Sequence, residues 1–210
     1  MKYHEFYALN TSILFAAEGD INRLEPGFRE AEEKVHVYER CFTRFSDTSE
    51  LAELNRSAGI WFASSADMFE LVSLAYAGYQ KTGGLFNPGI LEALESSGYN
   101  RSMDLIRGRT VPASVLKGNR PETAAHFSQV QLNNARQEIY LPLGLRIDLG
   151  GIAKGWIAEQ AALHIAHYAR ACLVDAGGDL FAIGLPDKEK FWRVALEDPF
   201  DPTHDLNVLA

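Results

Sequence analysis

The run Arg146-Ile-Asp-Leu-Gly-Gly-Ile-Ala-Lys-Gly-Trp156 constrains this chain more than any other. A short extended stretch, Arg146–Leu149, delivers Asp148 to the paired glycines Gly150 and Gly151. From 151 to 169 the residues are apolar around most of a helical circumference, which predicts a buried helix. A strand–Gly-Gly–helix junction presents backbone N–H groups at the positive end of a helix dipole, a setting suited to phosphate. Lys154 adds a mobile cation in the first turns. The spacing fits neither a Walker A loop nor the dinucleotide fingerprint, so nucleoside triphosphates and NAD are not indicated. On local physics two readings stand: a phosphate cradle, or a tight turn with Lys154 in solvent.

Composition narrows the partners. The chain has 210 residues, 47% of them hydrophobic and 23% charged, which is enough apolar material for a real core and argues against disorder. One substantial domain over 1–210 is expected. The formal net charge of −8 argues against a nucleic-acid binder, which relies on Lys and Arg to displace counterions. An anionic ligand on such a chain needs a local cation, a metal or a placed Lys or Arg. Cys41 and Cys172 are far apart and in no C-x-x-C arrangement, so isolated thiols in a reducing compartment are expected. No run approaches the roughly 18 apolar residues of a membrane span, and the N-terminus has no signal-peptide pattern. A soluble, cytoplasmic protein is the expectation.

Periodicity supplies the remaining elements. Residues 5–17 have strand-like content and end at a Gly-Asp turn. Pro26 is expected to open a helix with Phe28, Ala31, Val35, Tyr38 and Phe42 on one side. Ser49–Asn55 predicts a short helix, and 65–82 a strong one with Met68, Leu71, Val72, Ala75 and Tyr79 as its stripe and Gly83-Gly84 as its stop. Residues 85–120 read as irregular. Phe127–Leu132 and Glu138–Leu141 are expected to form a hairpin through Asn133-Asn134. Cys172–Val174, Leu180–Ile183 and Phe191–Leu196 read as strands. This order implies an α+β fold, an antiparallel or mixed sheet covered by helices.

Other chemistry-bearing residues carry blander readings. Asp175 and Asp179 flank Gly177-Gly178 and are expected to order a tight turn. His164 and His167 share a helix face without a third ligand. His4, His36, His126 and His204 form no pattern.

Five collinear segments together carry a resemblance. They are Thr43-Arg-Phe-Ser-Asp-Thr-Ser-Glu-Leu-Ala-Glu-Leu-Asn55, Thr82-Gly-Gly-Leu-Phe-Asn-Pro88, Asp148-Leu-Gly-Gly-Ile-Ala-Lys-Gly-Trp156, Leu173-Val-Asp-Ala-Gly-Gly-Asp-Leu180 and Trp192-Arg-Val-Ala-Leu-Glu-Asp-Pro199. The chain resembles the FAD:protein FMN transferases, the ApbE family, formerly called thiamine biosynthesis lipoproteins. The likeness covers the N-terminal two-thirds of that family's length. It implies an ApbE-like, T-fold-like α+β domain and an enzyme that takes FAD with Mg²⁺. Such an enzyme transfers the FMN half to a Thr or Ser of an acceptor flavoprotein and releases AMP. By position, the resemblance gives Phe45 to the flavin-nucleotide pocket, with Leu85, Phe86 and Asn87 as another wall. It has Asp148 accept hydrogen bonds from the nucleotide and Lys154 sit by the phosphates. The Gly151 carbonyl helps hold the metal, and Leu9 falls where the family has the Met of a Met-Gly-Thr motif.

Two departures follow from the same comparison. Asn87 stands where the family has Asp, and an amide cannot supply that charge. Relatives also continue past the point matching Ala210, through segments that supply side-chain ligands for Mg²⁺. The resemblance therefore leaves three expectations: a transferase completed by a complementing C-terminal chain, a non-catalytic FAD-binding module, or a domain that forms a homo-oligomer through an exposed sheet edge.

Overall fold

A computed structural model describes residues 1–99, 126–186 and 191–209. In chain order the elements begin with β1 (Lys2–Ala8), β2 (Thr11–Glu18), α1 (Ile21–Phe42), α2 (Glu50–Arg56), β3 (Trp61–Ala63), α3 (Ala66–Lys81) and α4 (Leu91–Ser96). After a 3₁₀ turn at Phe127–Gln129 come β4 (Gln131–Asn133), β5 (Glu138–Tyr140), α5 (Gly150–Ile165), β6 (Ala171–Ala176), β7 (Asp179–Ile183), β8 (Val194–Asp198) and β9 (Asp201–Leu209). Among the described residues every strand pairing is antiparallel, and helices accompany the sheets, so the α+β expectation holds. The chain divides into two compact units, Met1–Val35 with Ile157–Ala210, and His36–Trp156.

The first unit is built on a sheet of order β1-β2-β6-β7. Ile13, Phe15 and Ala17 of β2 face the same side as their partners Ala176, Val174 and Cys172 of β6, and all six are buried. Period-two alternation makes this one apolar face. Phe28 of α1 stacks on His4 and tilts against Phe15, with ring centroids 5.6 and 6.0 Å apart. The Cys172 thiol reaches the Ala162 carbonyl of α5. A separate two-stranded ribbon, β8-β9, completes this unit.

Two predicted elements change here. The single strand-like region over 5–17 is a hairpin, turning through Leu9 and Asn10 with φ of 56° and 59°. Two positive φ values suit a primed turn, whose twist matches that of the strands. Asn accepts that conformation easily, whereas Leu pays about 1–2 kcal/mol for it. The helix expected to open at Pro26 starts at Ile21 instead, and Pro26 lies inside it. Asp20 provides the start: its carboxylate accepts the Asn22 N–H at 3.0 Å, and its carbonyl accepts those of Arg23 and Leu24. The backbone bond lost at Pro26 is tolerated because Leu24, Phe28, Ala31 and Val35 bury one whole face.

The second unit holds a small sheet of order β3-β5-β4, with α2 and α3. The predicted strand from Phe127 begins only at Gln131, because Phe127–Gln129 winds into the 3₁₀ turn. The β4–β5 link has four residues and closes through Gln137 at φ 53°. Within the stretch expected to be irregular, 91–96 forms α4, while 100–125 lies outside the described residues. No helix among the described residues is long and apolar enough to cross a membrane.

Candidate functional site

The site grows from a segment that belongs to no sheet. Residues 145–149, predicted in part as a strand end, form no strand and join none of the sheet ladders among the described residues. The Asn55 side chain replaces a neighbouring strand: its Oδ1 accepts the Ile147 N–H at 2.8 Å and its Nδ2 donates to the Ile147 carbonyl at 2.9 Å. One residue on, the Asp148 N–H donates to the Pro88 carbonyl at 2.9 Å. Three motif segments, 43–55, 82–88 and 146–156, thereby meet within one unit.

Asp148 starts helix α5. Its Oδ1 accepts the Gly150 N–H at 2.9 Å, and the Leu149 carbonyl accepts the N–H groups of Ile152 and Ala153. A Cβ on Gly150 would lie 3.0 Å from Asp148 Oδ1, so glycine is what lets the carboxylate close over the helix start. This corrects the expectation of an open row of N–H donors, since those of Gly150, Ile152 and Ala153 are already satisfied. Gly151 is exposed, and Lys154 follows one turn along, half-buried.

The other oxygen of Asp148 faces a residue that sequence reasoning passed over. Arg44 Nε lies 2.8 Å from Asp148 Oδ2, the two side chains being 5% and 17% exposed. Arg44 Nη2 donates to the Tyr99 carbonyl at 2.7 Å. Its Cζ stands 4.3 Å from the Phe45 ring centroid and 4.4 Å from that of Tyr99, a double cation–π contact. The only signal for Arg44 was a cation beside Phe45 in a motif segment, and no periodicity turns it inward.

The aromatic wall is placed by glycines. A Cβ on Gly78 of α3 would come 3.0 Å from Phe86 Cδ1, and one on Gly151 would come 3.3 Å from Phe86 Cε2. The Phe86 ring is thus lodged between a bare position on α3 and a bare position on α5. Thr82 fixes its backbone, accepting the Phe86 N–H at 3.0 Å while donating to the Gly78 carbonyl. Leu85 is 92% exposed, and Phe45 is 39% exposed beside Arg44. Asn87 accepts the Gly89 N–H through Oδ1 at 2.9 Å, so the residue that departs from the family pattern shapes a turn. Ser49 and Glu50 are structural: Ser49 caps α2, and Glu50 grips both the N–H and the hydroxyl of Ser65, which caps α3.

Trp156 packs edge-to-face against Tyr38 and Phe42, with centroids 4.9 and 5.5 Å away. Its indole N–H is buried and, among the described residues, is the one buried side-chain polar atom without a hydrogen-bond partner.

The remaining candidates lie in the other unit. Leu9 occupies the β1–β2 turn. Asp175 accepts the Gly178 N–H at 2.8 Å, as a turn-ordering residue should. His164 Nε2 and the Tyr168 hydroxyl both bond Glu30 Oε2, at 3.1 and 2.7 Å. The Tyr168 hydroxyl is the main cause holding the Glu30 carboxyl below its ordinary range. Among the described residues no group of three or more His, Cys, Asp or Glu is placed to hold a metal ion.

Comparison with known proteins agrees with this architecture. The profile of the ApbE family matches residues 9–210. The chain belongs to the ApbE family. A curated relative, the FAD:protein FMN transferase of Treponema pallidum (strain Nichols), is 33% identical over 73% of this chain, which spans 45% of that relative's length. Two solved structures share the fold. The ApbE protein of Thermotoga maritima has a TM-score of 0.77 at 21% identity, covering 99% of this chain and 67% of its own. The Pseudomonas stutzeri flavinyl transferase ApbE in its apo form has 0.75 at 18%, covering 99% and 65%.

Proposed function

We propose that this chain takes FAD at the start of α5 and serves transfer of its FMN half to a Thr or Ser hydroxyl of an acceptor flavoprotein. The observation that carries the reading is the meeting of three motif segments at Asp148, in a chain of the ApbE family. Asp148 offers its remaining lone pairs to the nucleotide, and Phe45, Leu85, Phe86 and Asn87 line the ring. Lys154 stands by the pyrophosphate, where it offsets charge that builds as the bond breaks. In the step, the acceptor hydroxyl oxygen bonds to the FMN-side phosphorus, the bond from that phosphorus to the bridging oxygen breaks, and AMP leaves. The hydroxyl proton passes to solvent.

The family reading includes Mg²⁺, with the Gly151 carbonyl as one ligand. That ion prefers carboxylate and water oxygens. The described residues alone do not offer such a set, so no step here runs through the ion. This chain spans 67% and 65% of the lengths of the two solved structures. In a second reading, a complementing chain brings carboxylate ligands for the ion to Asp148 and Lys154.

The test is AMP release from FAD, with Mg²⁺ and an acceptor protein carrying the target hydroxyl. Release with flavin fixed to the acceptor supports the transferase. FAD retention without AMP supports the reading that needs a second chain, or a binding module. A protein that neither retains FAD nor releases AMP contradicts all of these readings.

A further inference from the structure

We propose that Arg44 is the positioning residue of this site, holding Asp148 in the orientation in which it meets a bound nucleotide; the proposal rests on the flavin reading above. A guanidinium stays charged at any ordinary pH and has five N–H donors. Burying it is costly unless it is paired and hydrogen-bonded. Arg44 is 5% exposed and uses Nε on Asp148 and Nη2 on the Tyr99 carbonyl. The rings of Phe45 and Tyr99 lie against the same cation. One residue therefore couples an aromatic ring of the pocket to the carboxylate at the helix start.

The hold on Asp148 is two-sided. Oδ2 is fixed by Arg44 and Oδ1 by the Gly150 N–H, so the carboxylate cannot rotate without breaking one of the two. A carboxylate has about four acceptor sites, and these contacts occupy two of them. The others are presented in a fixed direction, so a ligand meets acceptors already oriented. Lys at this position would keep the charge but lose the planar fork and the stacking surface. The proposal is thus about geometry and not charge alone.

Two measurements decide it. The first is hydrogen exchange of the Gly150 amide in the ligand-free protein. Arg44→Ala and Arg44→Lys should both speed it about tenfold, because the acceptor is released. The second is FAD affinity. Arg44→Ala, Arg44→Lys and Asp148→Asn should each weaken binding about tenfold or more. The double variant Arg44→Ala/Asp148→Asn should lose no more than Asp148→Asn alone. Arg170→Ala, which removes an ion pair with Glu18 in the other unit, should change neither readout. If Arg44→Ala fails to fold, Arg44→Lys and Arg44→Gln carry both measurements. Parent-like affinity in Arg44→Lys overturns the proposal, as do additive losses or a Gly150 amide that stays protected. A parent protein that does not bind FAD contradicts the flavin reading, and Gly150 exchange then decides the hold on Asp148 by itself.

Discussion

Asn55 holds Ile147 by both of its backbone groups, an amide side chain doing the work of a strand neighbour. Ile147 is fully buried, so neither group has water to fall back on. Asn55→Ala leaves a donor and an acceptor unpaired, and a loss of about 2–4 kcal/mol is expected in urea unfolding. A loss below about 0.5 kcal/mol would show that the segment carrying Asp148 is held some other way.

Gly78→Ala should destabilise the protein although it removes a glycine from the interior of α3. Helix propensity alone favours the substitution by about 1 kcal/mol. The added Cβ meets Phe86 at 3.0 and 3.3 Å, and the ring is blocked on its other side by the position of Gly151. Thermal unfolding should show a lower Tm, and FAD affinity should fall with it. A raised Tm would mean that Phe86 yields freely.

Ser49 is the one buried polar residue among those described, 2% exposed. Its hydroxyl donates to the Thr43 carbonyl at 2.5 Å and accepts the Ala52 N–H at 3.0 Å. Ser49→Ala removes a cap and strands a carbonyl, which should cost about 1–3 kcal/mol. Ser49→Thr should recover part of that in the same chemical denaturation series, provided its methyl is accommodated.

Cys172 should be inert in the native state. Burial pushes its thiol from 9.0 up to about 11, while the thiol of Cys41 is raised for the same reason. Thiol labelling at pH 8 should spare Cys172 entirely and reach Cys41 slowly, and both should react in urea. Because the folded value is the higher one, the linked stability is fully present below pH 9 and is lost as pH rises toward 11. Cys172→Ala should flatten that alkaline decline. Rapid labelling of Cys172 in the native protein would contradict the burial.

Much of this was legible in the sequence, and the gaps have physical causes. α3 was readable because Ser65, the Met68–Ala75 stripe and Gly83-Gly84 mark its start, face and stop. The β1–β2 hairpin was hidden because it turns on Leu9-Asn10, a pair with no turn preference at its first position. Pro26 is the stronger start signal in the sequence and masks the cap at Asp20, ahead of the expected opening of α1. Asp148, Gly151 and Lys154 stood out as a motif, whereas Arg44 did not. Its role depends on Phe45, Tyr99 and Asp148 coming together, and only the fold does that. Asn55 belonged to a matched segment, yet its grip on Ile147 is a tertiary fact.

The most direct test of the account is an FAD titration by flavin fluorescence, with Mg²⁺ present, on the parent protein and on Lys154→Ala. Saturable binding by the parent is expected, with affinity weaker by about tenfold or more in the variant, because a charge-assisted contact to phosphate is lost. Equal affinity in the two proteins would contradict the placement of the pyrophosphate beside Lys154, and absence of binding by the parent would contradict the flavin site itself.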